Sequence, residues 1–180
     1  MSQQYAHTSE WTFKQKAARA LWMIVQASLF RWSWHNMYAW RRFLLRLFGA
    51  RVGRAVRIRP TARVEIPWNI DLADGVVIGD FVTLYSLGNI TIGEASMVSQ
   101  HSYLCAGSHD HTSLKLPLLK PPITLGRDVW IAADVFVGPG VTIGDRTVVG
   151  ARSSVPRDLP AGIVAVGNPA TAIKLRQLQE

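Results

Sequence analysis

The 180-residue chain carries five histidines and one cysteine, and of these His109 stands where imidazole chemistry is best served. It lies between Cys105 and a proline-rich stretch, is followed by Asp110, and marks the point where a regular spacing of aliphatic residues stops. Imidazole titrates near neutrality, so a histidine on a rim between scaffold and loop can take the proton of a hydroxyl as that oxygen attacks an acyl carbon. Without such a base, a hydroxyl is a poor nucleophile at about pH 7. Cys105 offers a second chemistry, that of a thiol nucleophile able to form a covalent intermediate. It directly follows Leu104, in the small-residue slot of the repeat, and is read as packing. Asp110 could orient an imidazole, but adjacent side chains seldom face each other. It is read as a turn residue and as a candidate substrate contact.

The scaffold is legible from spacing. An aliphatic residue returns at every sixth position in Leu125, Ile131, Val137, Ile143, Val149 and Val155. Helical faces repeat near 3.6 residues and strand faces every 2, so neither accounts for this period. The next residue is small in Gly126, Ala132, Gly138, Gly144 and Gly150, and the fifth is small or β-branched in Val129, Val135, Val141, Thr147 and Ser153. One short strand and one tight corner per hexad, stacked at about 4.8 Å, make a parallel β-helix with an aliphatic interior. The pattern runs back through Val52, Ile58 and Val64, shifts to Ile66, Leu72, Ile78 and Leu84, and shifts again to Ile92, Val98 and Leu104. Each shift marks an enlarged corner. Between Asp110 and Pro122 the register is lost, because Pro117, Pro121 and Pro122 cannot hold it. This stretch reads as an extruded loop over 110–123, and such loops carry function on a rigid scaffold.

A hydrophobic content of 48% over this length suits one domain with a sizeable core. A single cysteine excludes an internal disulfide framework. The first ten residues lack a leader's order of charged, apolar and small residues, and the apolar run Ala20–Phe30 is short and broken by Gln26 and Ser28. A cytoplasmic protein is the expectation. The net charge of +8 asks for an anionic partner. Nucleic acid is not expected, since zinc spacing, a basic recognition helix and an aromatic RNA-binding signature are all missing. Phosphates of a cofactor or of lipids remain, facing arginines such as Arg41, Arg42, Arg46, Arg51, Arg54, Arg57, Arg59 and Arg63.

Residues 11–48 differ from the rest, with Trp11, Trp22, Trp32, Trp34 and Trp40 and no glycine until Gly49. Two helices are predicted, roughly 12–30 and 36–48, ended by Gly49 in the left-handed conformation. In the second, Trp40, Phe43, Leu44 and Leu47 supply an apolar stripe, with Arg42 and Arg46 on another face. This stripe either covers the open end of the β-helix with its unpaired backbone edge or rests on an anionic membrane surface. Both roles are compatible.

These hexads resemble the left-handed β-helix acyltransferases, together with Cys105–Asp110 (CAGSHD), Asp128–Ile131 (DVWI), Val137–Gly144 (VGPGVTIG) and Val166–Ala170 (VGNPA). The stretch from Trp40 to Ala50 and the Pro67-Trp68-Asn69 motif carry the likeness further, toward O-acetyltransferases of the colanic-acid-biosynthesis type and their maltose, galactoside and nodulation-factor relatives. The resemblance implies a left-handed coil and a homotrimer with its site between subunits. It also implies transfer of acetyl from acetyl-coenzyme A to a saccharide hydroxyl, with His109 as the base. Carried over residue by residue, Trp130 lies beside the thioester, and Ala132, Gly150 and Ala151 let the pantetheine arm approach the backbone. Arg152, Arg157, Lys174 and Arg176 face the phosphates, and Asn168 and Pro169 turn near the adenine. Tyr85 and Ser86 occupy the acceptor region, where the chain departs from the family's asparagine, and Asp71 is a further acceptor candidate. The related β-helix carbonic anhydrases bind metal through histidines, but His101, His109 and His111 do not reproduce their spacing, so no metal is expected. The acceptor would be an exopolysaccharide or lipid-linked sugar precursor. A non-catalytic β-helix scaffold is the alternative. The organisation expected is a helical segment over 1–49, a β-helix over 50–170 and a tail over 171–180.

Overall fold

A computed structural model describes residues 11–178. The polar first ten residues, and Gln179 and Glu180 of the expected tail, lie outside the described residues. Helix α1 (Phe13–Val25) starts at Thr12, whose hydroxyl accepts from the Gln15 N–H while the Gln15 side chain accepts from the Thr12 N–H, a reciprocal cap. It continues through a wider turn, Gln26–Phe30, and helix α2 (Tyr38–Leu47) follows, with Gly49 at φ +87° just beyond it. Both helices fall in the expected ranges. The face of α2 turned inward differs from the expected stripe: Arg41, Leu44 and Leu45 are buried while Phe43 and Leu47 stay exposed.

The reason is the backbone edge beneath. The first coil of a solenoid has no preceding coil to donate to its carbonyls, and such groups must find partners. Arg41 Nε donates to Ile58 O at 2.6 Å, Arg42 to Val56 O at 2.9 Å and Arg46 Nε to Val52 O at 2.9 Å. From the other helical element, Trp22 Nε1 donates to Val64 O at 2.7 Å and Gln26 Oε1 accepts from Val64 N at 2.7 Å. Arg41 is fully buried, and its remaining donors go to Ser33 Oγ and to the carbonyls of Trp34 and His35. Burial lowers its guanidinium below the ordinary value. The helices therefore close the open end of the coil with side-chain donors.

From residue 51 the chain winds as a three-faced prism. Face A stacks Arg51–Val52, Ile70–Leu72, Ile90–Ile92, Ile123–Leu125 and Thr142–Ile143 in parallel. Face B stacks Arg57–Ile58, Val77–Ile78, Met97–Val98, Trp130–Ile131, Val148–Val149 and Ile163–Gly167, and face C stacks Arg63–Val64, Thr83–Tyr85, Tyr103–Cys105, Phe136–Val137 and Ser154–Val155. The sixth-position residues point inward as columns, such as Ile58, Ile78, Val98, Ile131 and Val149, all nearly inaccessible. Small residues follow them because the coils nearly touch: a Cβ on Gly93 would run into the Gly126 carbonyl of the next coil.

The register shifts all fall on the corner between faces C and A. The first is a single turn at Pro67–Asn69, the second lies at residues 86–89, and the third is the excursion before Ile123. Hydroxyls occupy interior corners as well. Ser96 Oγ donates to Gly126 O at 2.8 Å and accepts from Val129 N at 2.9 Å, and Ser102 Oγ does the same with Ala132 O at 2.8 Å and Val135 N at 3.2 Å. Each bridges one coil to the next. At the far end Ala170–Leu175 folds back antiparallel on Ile163–Gly167, so residues 171–175, expected as a tail, form the edge strand of face B.

Candidate active site

The excursion begins where the face C strand Tyr103–Cys105 ends. Ser108–His109 pairs antiparallel with Leu118–Leu119, His109 opposite Leu118, so the expected loop is a short hairpin. Its return arm ends before Ile123, which already belongs to face A. Asp110 Oδ1 accepts from the Thr112 N–H at 2.9 Å and its hydroxyl at 2.6 Å, and these bonds hold the carboxyl below its ordinary value. The Asp110 N–H donates to Pro117 O at 3.0 Å, closing the loop. Asp110 thus serves as the turn residue, and Oδ1 is engaged within the loop.

His109 is exposed on this hairpin, and its Nδ1 lies 2.6 Å from the Leu116 carbonyl oxygen. A carbonyl only accepts, so Nδ1 carries the proton, and in the neutral ring the lone pair falls to Nε2. Leu116 holds φ +44°, a left-handed conformation that aims its carbonyl at the ring just ahead of Pro117. Sequence reasoning missed this partner. Proline restricts its preceding residue away from the helical region, the one local signal that Leu116 is unusual.

Tyr85 sits opposite Cys105 in the ladder, half-buried, and stacks in a row with Tyr103 and Phe136 at centroid distances of 6.0 and 6.1 Å. Gly107, at the root of the hairpin, leaves the space that the Tyr85 ring and Leu87 occupy: a Cβ there would stand 3.1 Å from Tyr85 Cε1. Burial pushes the Tyr103 phenol above its ordinary value. Ser86 corrects the sequence reading. It is fully buried, donating to Ile66 O at 2.9 Å and accepting from Ile66 N at 2.8 Å, so no acceptor meets its hydroxyl. Asp71 likewise lies on face A with its carboxylate paired to Arg51 at 2.9 Å. Cys105 is partly buried, its Sγ 3.3 Å from Gly107 O. His101 stacks on Phe81 at 5.0 Å, His35 bonds Arg59, and His111 is exposed in the loop. No cluster of three potential metal ligands occurs among the described residues.

The residues assigned to the cofactor spread over face B and its corners. Trp130 projects outward, 45% exposed, with Nε1 donating to Ser99 Oγ at 3.0 Å, which fixes the ring on the face. Ala132 is buried at the corner and Ala151 is exposed. The smallness of Gly150 has a reason within the chain, because a Cβ would come to 2.6 Å of Val166 Cγ1. Arg152 pairs loosely with Asp134 at 3.7 Å, and Arg157 is exposed with no acidic partner among the described residues. Lys174 borders an open cleft of about 710 Å³ with Val164, Leu175 and Leu178. Asn168 and Pro169 form the turn between the last two strands. Arg176 departs from its expected phosphate role. Its Nη1 donates to Asp128 O at 2.7 Å and Arg146 O at 3.2 Å, strapping the last strand to two corners.

Residues 122–157 match the family model described as bacterial transferase hexapeptide (six repeats). A protein of Escherichia coli (strain K12) named for colanic acid biosynthesis acetyltransfer, WcaF, is 56% identical over 156 residues, 87% of this chain and 86% of its own length. The chain belongs to the hexapeptide-repeat acetyltransferases. Among solved structures, a hexapeptide-repeat acetyltransferase of Vibrio cholerae O1 biovar eltor complexed with acetyl-coenzyme A is similar at a TM-score of 0.85 and 25% identity, over 95% of this chain and 93% of that one. A maltose O-acetyltransferase from Clostridium difficile 630 is similar at 0.82 and 27%, over 91% and 88%. The coil of this hexapeptide-repeat acetyltransferase is the left-handed β-helix of that family. A non-catalytic scaffold is set aside with that membership.

Proposed function

We propose that this acetyltransferase moves acetyl from acetyl-coenzyme A to a hydroxyl of a saccharide, with His109 Nε2 as the general base. The observation that carries the reading is the bond from His109 Nδ1 to the Leu116 carbonyl. In the neutral ring it assigns the lone pair to Nε2, which can then accept the hydroxyl proton. Acetyl-coenzyme A supplies an acyl group already activated as a thioester. The protein supplies the proton path: Nε2 takes the proton of the attacking oxygen, the new C–O bond forms as the C–S bond breaks, and the proton passes to the departing sulfur. During this exchange the Leu116 carbonyl steadies the charged imidazolium through Nδ1–H.

The exposed ring of Trp130, the accessible Ala151 backbone and the Lys174 cleft suit a long chain that is apolar in its middle and anionic at one end. Arg152, Arg157 and Lys174 are the cations left for its phosphates. A saccharide acceptor is supported by the relatives, one named for colanic acid biosynthesis and one for maltose O-acetylation. An exopolysaccharide or lipid-linked sugar precursor fits the first of these. Tyr85 is the retained acceptor contact, as the aromatic nearest the hairpin root.

A homotrimer is supported by two different apolar faces on one prism. Face B turns Met97 and Trp130 outward, and face C turns Tyr103 and Phe136 outward. A contact between unlike faces is head-to-tail, and a rotation of one third of a turn between neighbours would close it as a ring of three. The test is mass spectrometry of a glycan panel incubated with enzyme and acetyl-coenzyme A, with light scattering on the same sample. A saccharide gaining one acetyl group, from a particle of three chains, is the expected result. Hydrolysis of acetyl-coenzyme A with no acetylated glycan would overturn the acceptor class.

A further inference from the structure

Helix α1 is apolar on both sides. Its inner side carries Trp22, fully buried, with Gln15, Ala18, Arg19 and Val25 half-buried beside it. On the opposite side Phe13, Ala17, Ala20, Leu21 and Ile24 form an outward row, Phe13 being 85% exposed. A helix that merely caps a core turns charge to water on that side. Here Lys14 and Lys16 stand at the two flanks of the row instead, both exposed. The turn that follows presents Trp32 and Trp34 at 82% and 83% exposure.

The charge that this stretch of chain itself contributes is of one sign. Between Trp11 and Val64 the chain has twelve Lys and Arg and not one Asp or Glu. Acids of the coil pair with some of them: Arg51 with Asp71, Arg54 with Asp74, Arg59 with Asp80, and both Arg19 and Arg63 with Glu65. Lys14, Lys16 and Arg31 meet no acidic partner among the described residues, while Arg41, Arg42 and Arg46 bond backbone carbonyls. Beside the apolar row, a cleft of about 250 Å³ lies between Met23, Gln26, Ala27 and Arg31 on one wall and Thr61 and Arg63 on the other. It places Arg31 next to exposed apolar side chains, while Arg63 across the cleft is paired with Glu65 at 3.3 Å.

We infer that this face rests in the plane of an anionic bilayer surface, with the Phe13–Ile24 row and the two tryptophans among the upper acyl chains. The lysines and Arg31 would sit at headgroup phosphates. Apolar residues flanked by cations, with indoles at the rim, are the pattern of a helix lying in an interface. No helix among the described residues is long and apolar enough to cross a membrane, so the helix lies on the surface. A second copy of the chain fits poorly as occupant, because pairing this face with itself brings like charges together. The capping contacts use only the inner side, so closure of the coil and membrane contact coexist.

Sedimentation of the full chain with phosphatidylcholine vesicles, with and without phosphatidylglycerol, tests the inference. The expected result is binding only to the anionic vesicles, weakened by salt, with quenching of tryptophan emission by brominated acyl chains. Changing Ile24→Gln, Trp32→Ser and Trp34→Ser together is expected to weaken binding by about tenfold or more while the unfolding midpoint holds. Lys14→Glu with Lys16→Glu should weaken it by about fivefold or more per site. Equal binding to neutral vesicles, no binding at low salt, or no quenching in the unaltered protein would overturn the inference. A lipid-free particle mass that drops in the Trp32/Trp34 variant would assign the face to subunit contact instead. None of these readouts depends on acetyl transfer.

Discussion

The coil and the hairpin it extrudes are held by different means. In the coil each interior side chain sits between identical positions above and below, so Ile78 packs between Ile58 and Val98, and geometry repeats with the sequence. In the hairpin nothing repeats. His109 is positioned by one carbonyl, one left-handed leucine and one aspartate turn, all local. The first arrangement spreads its stability over many equivalent contacts, and the second concentrates its chemistry in a few single ones. Damage to one should therefore be nearly silent in the other.

The largest effect expected is on the hairpin side. His109→Ala should lower turnover by about 10² to 10⁴, with coenzyme A affinity and the unfolding midpoint nearly unchanged. Steady-state kinetics beside calorimetric binding and thermal unfolding checks this, and a comparable loss in His111→Ala instead would assign the base to the wrong imidazole. On the coil side, Ile78→Ala should cost about 2 to 5 kcal/mol of stability in denaturant unfolding, while turnover per folded molecule is kept. A core change that cuts turnover as deeply would show that coil and hairpin are coupled.

A smaller coil effect tests the hydroxyl bridges. Ser102→Ala strands Ala132 O and Val135 N in the interior and should cost about 1 to 3 kcal/mol, again without loss of turnover. The smallest effect belongs to the hairpin turn. Asp110→Ala should loosen the loop and reduce turnover only a few-fold. The Asp110 carboxyl is held below its ordinary 3.8 by Thr112, so the turn gains from ionisation above that value. Its contribution is lost only as pH falls through the lower folded value. Amide protection in the loop, corrected for the intrinsic pH dependence of exchange, should fall in the unaltered protein as the pH drops through the lowered folded value and show no such fall in Asp110→Ala.

What could be read in the sequence follows the same division. The period of six exposes the coil at once, because Leu125 to Val155 repeats without interruption and the phase shifts at Ile66 and Ile92 fall on real enlarged corners. His109 was legible as a rim residue from its place at the end of that period. Its partner was not, since the Leu116 carbonyl belongs to the backbone and leaves no residue type to recognise. Ser86 and Arg176 misled for the opposite reason. Their types suit substrate and phosphate, but neighbouring coils claim them first, and a one-dimensional pattern does not tell which hydroxyl or guanidinium has spare donors. Arg41 follows the same logic, its charge spent on carbonyls that the sequence does not display.

Closing the first coil with arginines has a consequence for assembly. A stacked sheet with a bare terminal rung is a seed: its free carbonyls and N–H groups can template a rung from another molecule, and each addition regenerates the same growing tip. Guanidinium groups end that chain reaction chemically, because they donate to Val52, Val56 and Ile58 and offer no carbonyl in return. They also end it electrostatically, since every molecule wears the same charge over its tip. The helical segment thus covers the rung at which another molecule could add, and removing residues 11–48 is expected to give particles whose size rises with concentration in light scattering.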